Sequence, residues 1–119
     1  MMVGFYALSN GKRPAQEYVL SLDKGLRSKT LRTIRLLKQY GNTLGQPESK
    51  HLEDGIFELR TTMGNNASRV LYFFVVGDKA ILTHGFNKKT QKTPRREIEK
   101  AKRYRKDYMR QIEGGEVHG

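Results

Sequence analysis

The sequence predicts a single α+β domain in which an antiparallel sheet packs against an N-terminal helical hairpin and a C-terminal helix, in the order β-α-α-β-β-β-α. Three observations support this. Apolar residues in the first third recur at steps of three and four, as in amphipathic helices. Three strand-like segments joined by turn-forming residues follow, and a second amphipathic segment closes the chain. With 119 residues, the chain is long enough for only one ordinary domain.

The N-terminal part is predicted as one strand and two helices. Residues 3–8 form a short apolar and aromatic run that ends at a turn-prone Ser-Asn-Gly sequence, which favours a strand at or near a sheet edge. Pro14 suits the first turn of a short helix, and Asp23 with Gly25 interrupts it. A second helix with one apolar face runs from residue 26 to about residue 40, where glycine and asparagine end it.

Residues 56–63, 68–76 and 79–86 are the next predicted strands. The Gly-Asn-Asn sequence between the first two tolerates positive φ, and a Gly-Asp pair makes a tight connection between the last two. Since short connections join neighbouring antiparallel strands, we expect these segments to form a meander.

The chain from Pro94 onward is predicted to form the C-terminal helix. One stripe of this helix can dock on the sheet, and it consists of Ile98, Ala101, Arg105, Tyr108 and Ile112. Gly114 and Gly115 are expected to stop the helix. The predicted domain therefore spans residues 1–113, and residues 114–119 form a flexible C-terminal tail.

The charge of the chain points to a polyanionic partner. The 23 Lys and Arg residues outnumber the 12 Asp and Glu residues, which gives a formal charge of +11. Residues 88–110 hold eleven cations and three acids, so +8 of that charge lies in this segment. Nucleic acid is the first candidate partner and an acidic protein the second. The alternative is a basic surface that only keeps the chain soluble.

Several classes of protein are disfavoured. The absence of cysteine excludes a disulfide framework and Cys-ligated zinc. His51, His84 and His118 lack the spacing of a metal site, so no metal and no cofactor is expected. The N-terminus does not resemble a signal peptide and no segment approaches 18 consecutive apolar residues. We therefore expect a cytoplasmic protein that does not enter a membrane.

Two strand arginines are the first candidate site residues. Arg60 and Arg69 lie inside segments that otherwise favour strands, and alternation places Arg60 on one face with Glu58 and Arg69 on one face with Leu71. Such a surface can bind phosphates and stack bases. Each arginine also has a structural explanation: Arg60 can pair with Glu58 or an acidic neighbour, and Arg69 can simply mark the start of its strand. A histidine inside a strand, His84, is more often structural than catalytic.

The segment from residue 52 to residue 108 resembles the HigB-like, phage-derived branch of the RelE/ParE toxin superfamily. The resemblance is carried by ELR on one strand, RVLYFF on the next, HGFNKKTQKTP after the last strand and EIEKAKRY on the closing helix. These motifs span about half of the chain.

The resemblance implies the toxin of a type II toxin–antitoxin pair, a ribosome-dependent mRNA endoribonuclease that inhibits translation. It also implies a cognate HigA-like antitoxin, and one form of such an antitoxin carries a helix-turn-helix DNA-binding domain. By position, Arg60 and Arg69 match the cations of the family's second and third strands, and Lys88 and Lys89 match a basic pair beyond the fourth. Glu58 stands where some RelE members have lysine, and the tyrosine that some carry near the start of the last helix has no clear equivalent.

The expected mechanism is attack of the ribose 2′-hydroxyl on the adjacent phosphate without a metal. Arg60 and Arg69 would stabilise the charge of the transition state. Lys88 or Lys89 would transfer the proton, and His84 is the competing candidate because histidine titrates near neutrality. The cations expected to bind the rest of the RNA are Lys92, Arg95, Arg96, Lys100 and Arg103.

Two other functions remain open at this stage. ParE-like members of the superfamily inhibit DNA gyrase through protein contacts and do not need the cation cluster. A noncatalytic RNA- or ribosome-binding protein would also carry a basic surface, but no single residue would be indispensable to it. The nuclease is favoured because the chain has all four matching cations, which are Arg60, Arg69, Lys88 and Lys89.

Overall fold

The computed structural model describes residues 1–76, 78–87 and 92–118, with the backbone alone for residues 115–118. Its strands are β1 (Met2–Phe5), β2 (Ser49–Glu53), β3 (Ile56–Met63), β4 (Asn66–Val75) and β5 (Lys79–Asn87). Its helices are α1 (Pro14–Ser21), α2 (Lys24–Tyr40) and α3 (Arg95–His118), and a short 3₁₀ turn (Gly41–Thr43) follows α2. The predicted α+β class is therefore confirmed.

The sheet differs from the prediction in two respects. Its order is β1-β5-β4-β3-β2, and β1 runs parallel to β5, so the sheet is mixed and not purely antiparallel. The helices and the meander separate β1 from its partner along the chain, and no short turn imposes an antiparallel pairing. The strand β2 was not predicted, because its sequence SKHLE contains no β-branched residue. It forms a hairpin with β3 through Asp54 and Gly55, which have φ of 49° and 75°.

Helices cover both faces of the sheet. On one face, Val19 of α1 and Leu37 of α2 are buried in the same cluster as Val70 and Tyr72 of β4. On the other face, the cluster around Phe73 of β4 includes residues of α3. The predicted alternation along β4 is confirmed. Both faces of the sheet are packed, and cations enter only part of the α3 face.

A bulge in β5 determines which of its side chains face α3. Leu71 pairs with His84, but Tyr72 pairs with Leu82, so Thr83 is an extra residue in this strand. Its hydroxyl donates to the Leu71 carbonyl at 3.1 Å. Beyond the bulge, His84 lies on the α3 face, and Gly85 lies against the ring of Tyr18, where a Cβ atom would come within 2.1 Å of Tyr18 Cδ2. This close approach requires glycine.

The C-terminal helix is longer than predicted. It continues to His118, so the prediction that Gly114 and Gly115 stop it is wrong. A glycine inside a helix costs only about 1 kcal/mol and keeps its backbone N–H donor, so two glycines do not have to end it. The predicted stripe is confirmed where Ile98 and Ala101 are buried. In the described part of the chain, no helix has the length and apolar character needed to cross a membrane.

Candidate functional site

Two rows of paired residues cross the sheet on its α3 face. The first row is formed by Glu58, Leu71 and His84, and the second by Arg60, Arg69 and Phe86. Both rows lie next to the beginning of α3, because His84 contacts Glu97 of the first turn of this helix. The strand alternation predicted from the sequence thus brings Arg60 and Arg69 side by side.

A buried carboxylate lies between the two arginines. Glu58 is only 1% exposed, and its Oε2 atom is 3.7 Å from the Nε atom of Arg60 and 3.7 Å from that of Arg69. Like charges directly opposite one another on adjacent strands repel, and a carboxylate between them offsets this repulsion. The structural explanation for Arg60, pairing with Glu58, is therefore confirmed, and the same carboxylate also serves Arg69.

Arg69 is a buried cation whose Nε atom has no hydrogen-bond acceptor among the described residues. Its side chain is 8% exposed, and its Nη1 atom donates to the Ser68 carbonyl at 3.0 Å. Burial lowers the pKa of Arg69, the Glu58 carboxylate opposes this, and the charge of Arg60 adds to the lowering. The guanidinium remains charged because its ordinary pKa lies far above neutral pH. The Nε atom of Arg69 is shielded from solvent and lies 3.7 Å from Glu58 Oε2.

Thr93, two residues before the start of α3, is tied to the same carboxylate. The hydroxyl of Thr93 donates to Glu58 Oε1 at 2.5 Å. At the end of β5, Asn87 Oδ1 accepts a hydrogen bond from the Tyr18 hydroxyl at 2.6 Å. These bonds hold both flanks of the predicted basic pair in place. Lys88 and Lys89 themselves lie outside the described residues.

His84 is enclosed between the sheet and α3. Its Nε2 atom is 3.1 Å from Glu97 Oε1, and its ring lies edge-on to Tyr104 with 5.7 Å between the ring centroids. Burial lowers the pKa of His84 to about 4, against the raising effect of Glu97, and the charges of Lys100 and Arg103 contribute to the lowering. The imidazole is therefore neutral at pH 7. This geometry favours the structural explanation, while a catalytic role for His84 stays a prediction.

The depressed pKa of His84 predicts a loss of stability in acid. The unfolded chain binds a proton near pH 6.5 and the folded chain only near pH 4, so the unfolded state binds more protons between these values. The contribution of His84 is fully present above about pH 6.5 and is lost as the pH falls toward 4, by about 3 kcal/mol at most. Urea unfolding across this pH range would measure it.

Two histidine variants provide the controls for this experiment. In His84→Gln, the free energy of unfolding should change less between pH 7 and pH 4.5 than in the wild type. His51→Gln removes an exposed histidine and should keep the wild-type slope. An unchanged slope in His84→Gln would show that other groups cause the acid sensitivity.

The cations predicted to bind RNA are not all brought to the site. Arg95 forms ion pairs with Glu53 of β2 and with Glu99, and these occupy its guanidinium. Together with Lys102, Arg95 lowers the pKa of Glu53 to about 2. Arg95 therefore connects α3 to β2, a role that the sequence did not reveal because β2 was not predicted.

The other predicted cations are distributed around the start of α3. The charges of Lys100 and Arg103 act on His84, so both side chains belong to the surroundings of the site. Arg96 is 82% exposed beside Glu97, with 3.8 Å between Arg96 Nε and Glu97 Oε2, and Lys92 is exposed. Of the five predicted cations, Lys100 and Arg103 thus lie near the two rows. Arg96 and Lys92 are exposed to solvent near the start of α3.

Sequence reasoning left two polar residues of the site, Thr93 and Glu97, without a role, and it considered Glu58 only as a partner of Arg60. An acidic residue between Phe57 and Leu59 in an apolar strand was the available signal for Glu58, because carboxylates are rarely buried unless paired. In the described part of the chain, no three His, Asp or Glu side chains are grouped as a metal ion would require. The arrangement that is present, two adjacent guanidinium groups that share one carboxylate, carries a net positive charge suited to a phosphate.

Comparison with known protein families gives a match over most of the chain. The model of the family described as phage-derived protein Gp49-like (DUF891) matches residues 17–106, from α1 into α3. This is a toxin-like family of the RelE type. No curated protein matches the chain.

Proposed function

The chain belongs to the phage-derived Gp49-like family, and from this premise we propose that it is the toxin of a toxin–antitoxin pair that cleaves mRNA on the ribosome. Within the RelE type, we assign it to the HigB-like branch. The observation that carries the proposal is the pair Arg60 and Arg69, directly opposite each other on β3 and β4 and held together by buried Glu58.

The arginine pair would act on the scissile phosphate. When the 2′-hydroxyl of the preceding ribose attacks the phosphorus, the phosphate gains negative charge, and preformed donors stabilise this charge without having to reorganise. Arg69 supplies buried donors and Arg60 supplies partly exposed ones. The carboxylate of Glu58 holds both guanidinium groups in position before the RNA arrives, which makes Glu58 a positioning residue.

Proton transfer completes the reaction. The 2′-hydroxyl gives up its proton, the bond from phosphorus to the 5′-oxygen breaks, and that oxygen takes up a proton. The products are a 2′,3′-cyclic phosphate and a 5′-hydroxyl end. We assign proton transfer to Lys88 or Lys89, since the Nε2 atom of His84 is occupied by Glu97 and His84 is buried. Crowding by neighbouring cations lowers the pKa of a lysine, so a larger fraction of its amine is neutral and able to accept a proton at pH 7.

We infer the binding partners of the protein from its positive charge. Ribosome-bound mRNA is polyanionic, and a basic surface attracts it at long range. An antitoxin that silences the site would neutralise the cations around the start of α3 or cover the two rows, and we propose a HigA-like protein for this role.

The decisive experiment is primer-extension mapping of an mRNA in a purified translation system. The wild-type protein should produce discrete cuts only when ribosomes are present, and Arg69→Ala and Lys88→Ala should produce none. Arg110→Ala removes one exposed arginine from the far part of α3 and serves as the matched control. Naked RNA in EDTA tests whether the ribosome is required.

Other outcomes would identify the rival functions. Intact mRNA together with inhibited supercoiling by gyrase would establish a ParE-like inhibitor. Intact mRNA together with RNA binding that weakens equally for every removed cation would establish a noncatalytic binding protein. Either result would contradict the nuclease.

A further inference from the structure

A second cationic surface lies on the opposite face of the sheet from α3. Helix α2 contains no acidic residue and six basic ones, which are Lys24, Arg27, Lys29, Arg32, Arg35 and Lys38. The proposed function makes no use of this helix. Two of its cations, Lys29 and Arg32, line a cleft at the edge of the sheet.

This cleft has a volume of about 400 Å³ and is lined by α2, by the segment before β2 and by β3. The pairing of β2 with β3 ends at Ser49 and Leu59, so the outer edge of β3 beyond Arg60 has no strand beside it in the described part of the chain. Arg60 and Arg69 also line the cleft. The cleft is therefore continuous with the arginine pair of the proposed active site.

The charges in the cleft are strongly unbalanced. Its lining contains Lys29, Arg32, Arg60 and Arg69, and Glu48 is its single acidic residue among the described ones. The amine of Lys29 donates to the Thr62 carbonyl at the free edge of β3. Arg32 is exposed and forms no ion pair with any described residue. Glu58 offsets the repulsion between Arg60 and Arg69, but it forms no ion pair with Lys29 or Arg32, and a bound anion would relieve the repulsion that remains.

We propose that this cleft is a second phosphate subsite for single-stranded RNA, and that Lys29 and Arg32 bind the phosphodiester next to the one held by Arg60 and Arg69. The inference rests on the proposed function for the position of the scissile phosphate. Single-stranded RNA, which has phosphates at regular intervals, fits this arrangement. Arg60 and Arg69 border both phosphate positions and can therefore contact successive phosphates. Lys29 and Arg32 bind and orient the strand and take no part in proton transfer.

The test uses an RNA octamer with 2′-O-methyl groups on every ribose, which binds but cannot be cut by 2′-hydroxyl attack. Fluorescence anisotropy measures its affinity for the wild type, Lys29→Gln, Arg32→Gln and Arg35→Gln at several salt concentrations. Arg35 is exposed on the same helix but does not line the cleft, so its variant is the matched control for the loss of one charge. A methylated dinucleotide with one phosphate is the second probe.

We expect Arg32→Gln to weaken octamer binding about tenfold, which corresponds to the loss of one charge-assisted hydrogen bond, and to reduce the salt slope by about 0.7. Lys29→Gln should act in the same direction, and Arg35→Gln should have little effect. Dinucleotide affinity should be unchanged in all three variants. Glu48→Gln removes the acidic residue of the cleft and should tighten octamer binding.

Equal losses for Arg32→Gln and Arg35→Gln would overturn the subsite and leave only a diffuse positive field. Unchanged RNA affinity in both cleft variants, with weakened binding of polyglutamate, would assign the cleft to an acidic protein instead. Since the octamer cannot be cut, these results do not depend on cleavage. A wild type that leaves mRNA intact but binds the octamer through Arg32 would remove the nuclease and keep the subsite.

Discussion

Replacement of Arg69 by alanine should lower the rate of mRNA cleavage at saturating ribosomes by about a hundred- to a thousandfold. Arg69 contributes buried donors at the place where negative charge develops, and its side chain is only 8% exposed. A donor shielded from water acts on that charge more strongly than an exposed one. Single-turnover cleavage of ribosome-bound mRNA measures the loss directly, without a contribution from product release.

Two further variants make this result specific. Arg69→Lys keeps the charge but loses the planar fork of donors, so its activity should fall between those of Arg69→Ala and the wild type. Arg110→Ala should cleave at the wild-type rate. Circular dichroism should confirm that Arg69→Ala is folded. A folded Arg69→Ala protein within threefold of the wild-type rate would remove Arg69 from the site.

The second large effect concerns stability. Glu58→Leu should lower the free energy of unfolding by about 3 to 5 kcal/mol, because it leaves two adjacent arginines without the carboxylate between them. The substitution also removes the acceptor for the Thr93 hydroxyl. Urea denaturation at pH 7 measures the loss. Exposed Glu17 of α1 provides a control, and Glu17→Leu should change stability by no more than about 0.5 kcal/mol.

A double-mutant cycle separates the charge effect from the change in shape. Combining Glu58→Leu with Arg69→Leu removes both members of a buried ion pair, and this is often far less harmful than removing one of them. The double variant should therefore be more stable than the sum of the two single losses predicts. Strict additivity would mean that Glu58 and Arg69 do not stabilise each other.

Local patterns predicted most of the fold. Alternation in β3, β4 and β5 and the apolar face of α2 depend on neighbouring residues, and these elements were predicted close to their observed bounds. The partner of β1 could not be predicted, because the parallel pairing of Met2 with Lys79 depends on residues far apart in the chain. The bulge at Thr83 left no signal that strand alternation could reveal.

Part of the candidate site could also be predicted, because it depends on the same local patterns. The alternation of side chains along β3 and β4, together with the hairpin that joins these strands, was enough to place Arg60 and Arg69 next to each other. The environment of His84 depends on Glu97 and Tyr104 of α3, and such contacts between distant elements leave no periodic trace. The first 87 residues hold 12 basic and seven acidic residues, and this sum of +5 did not reveal that six of the basic residues lie on one helix, α2.

The parallel pairing of β1 also bears on the order of folding. Strands β2 to β5 join neighbours in sequence, so the rows that carry Glu58, Arg60 and Arg69 can form from nearby segments. β1 can dock only after β5 exists, and closing so long a loop is slow compared with forming a hairpin. On a translating ribosome, the first residues of the chain must therefore wait for residues 79–82 before their strand has a neighbour. The chain has therefore already made the strands that carry the two arginines when this edge of the sheet can form.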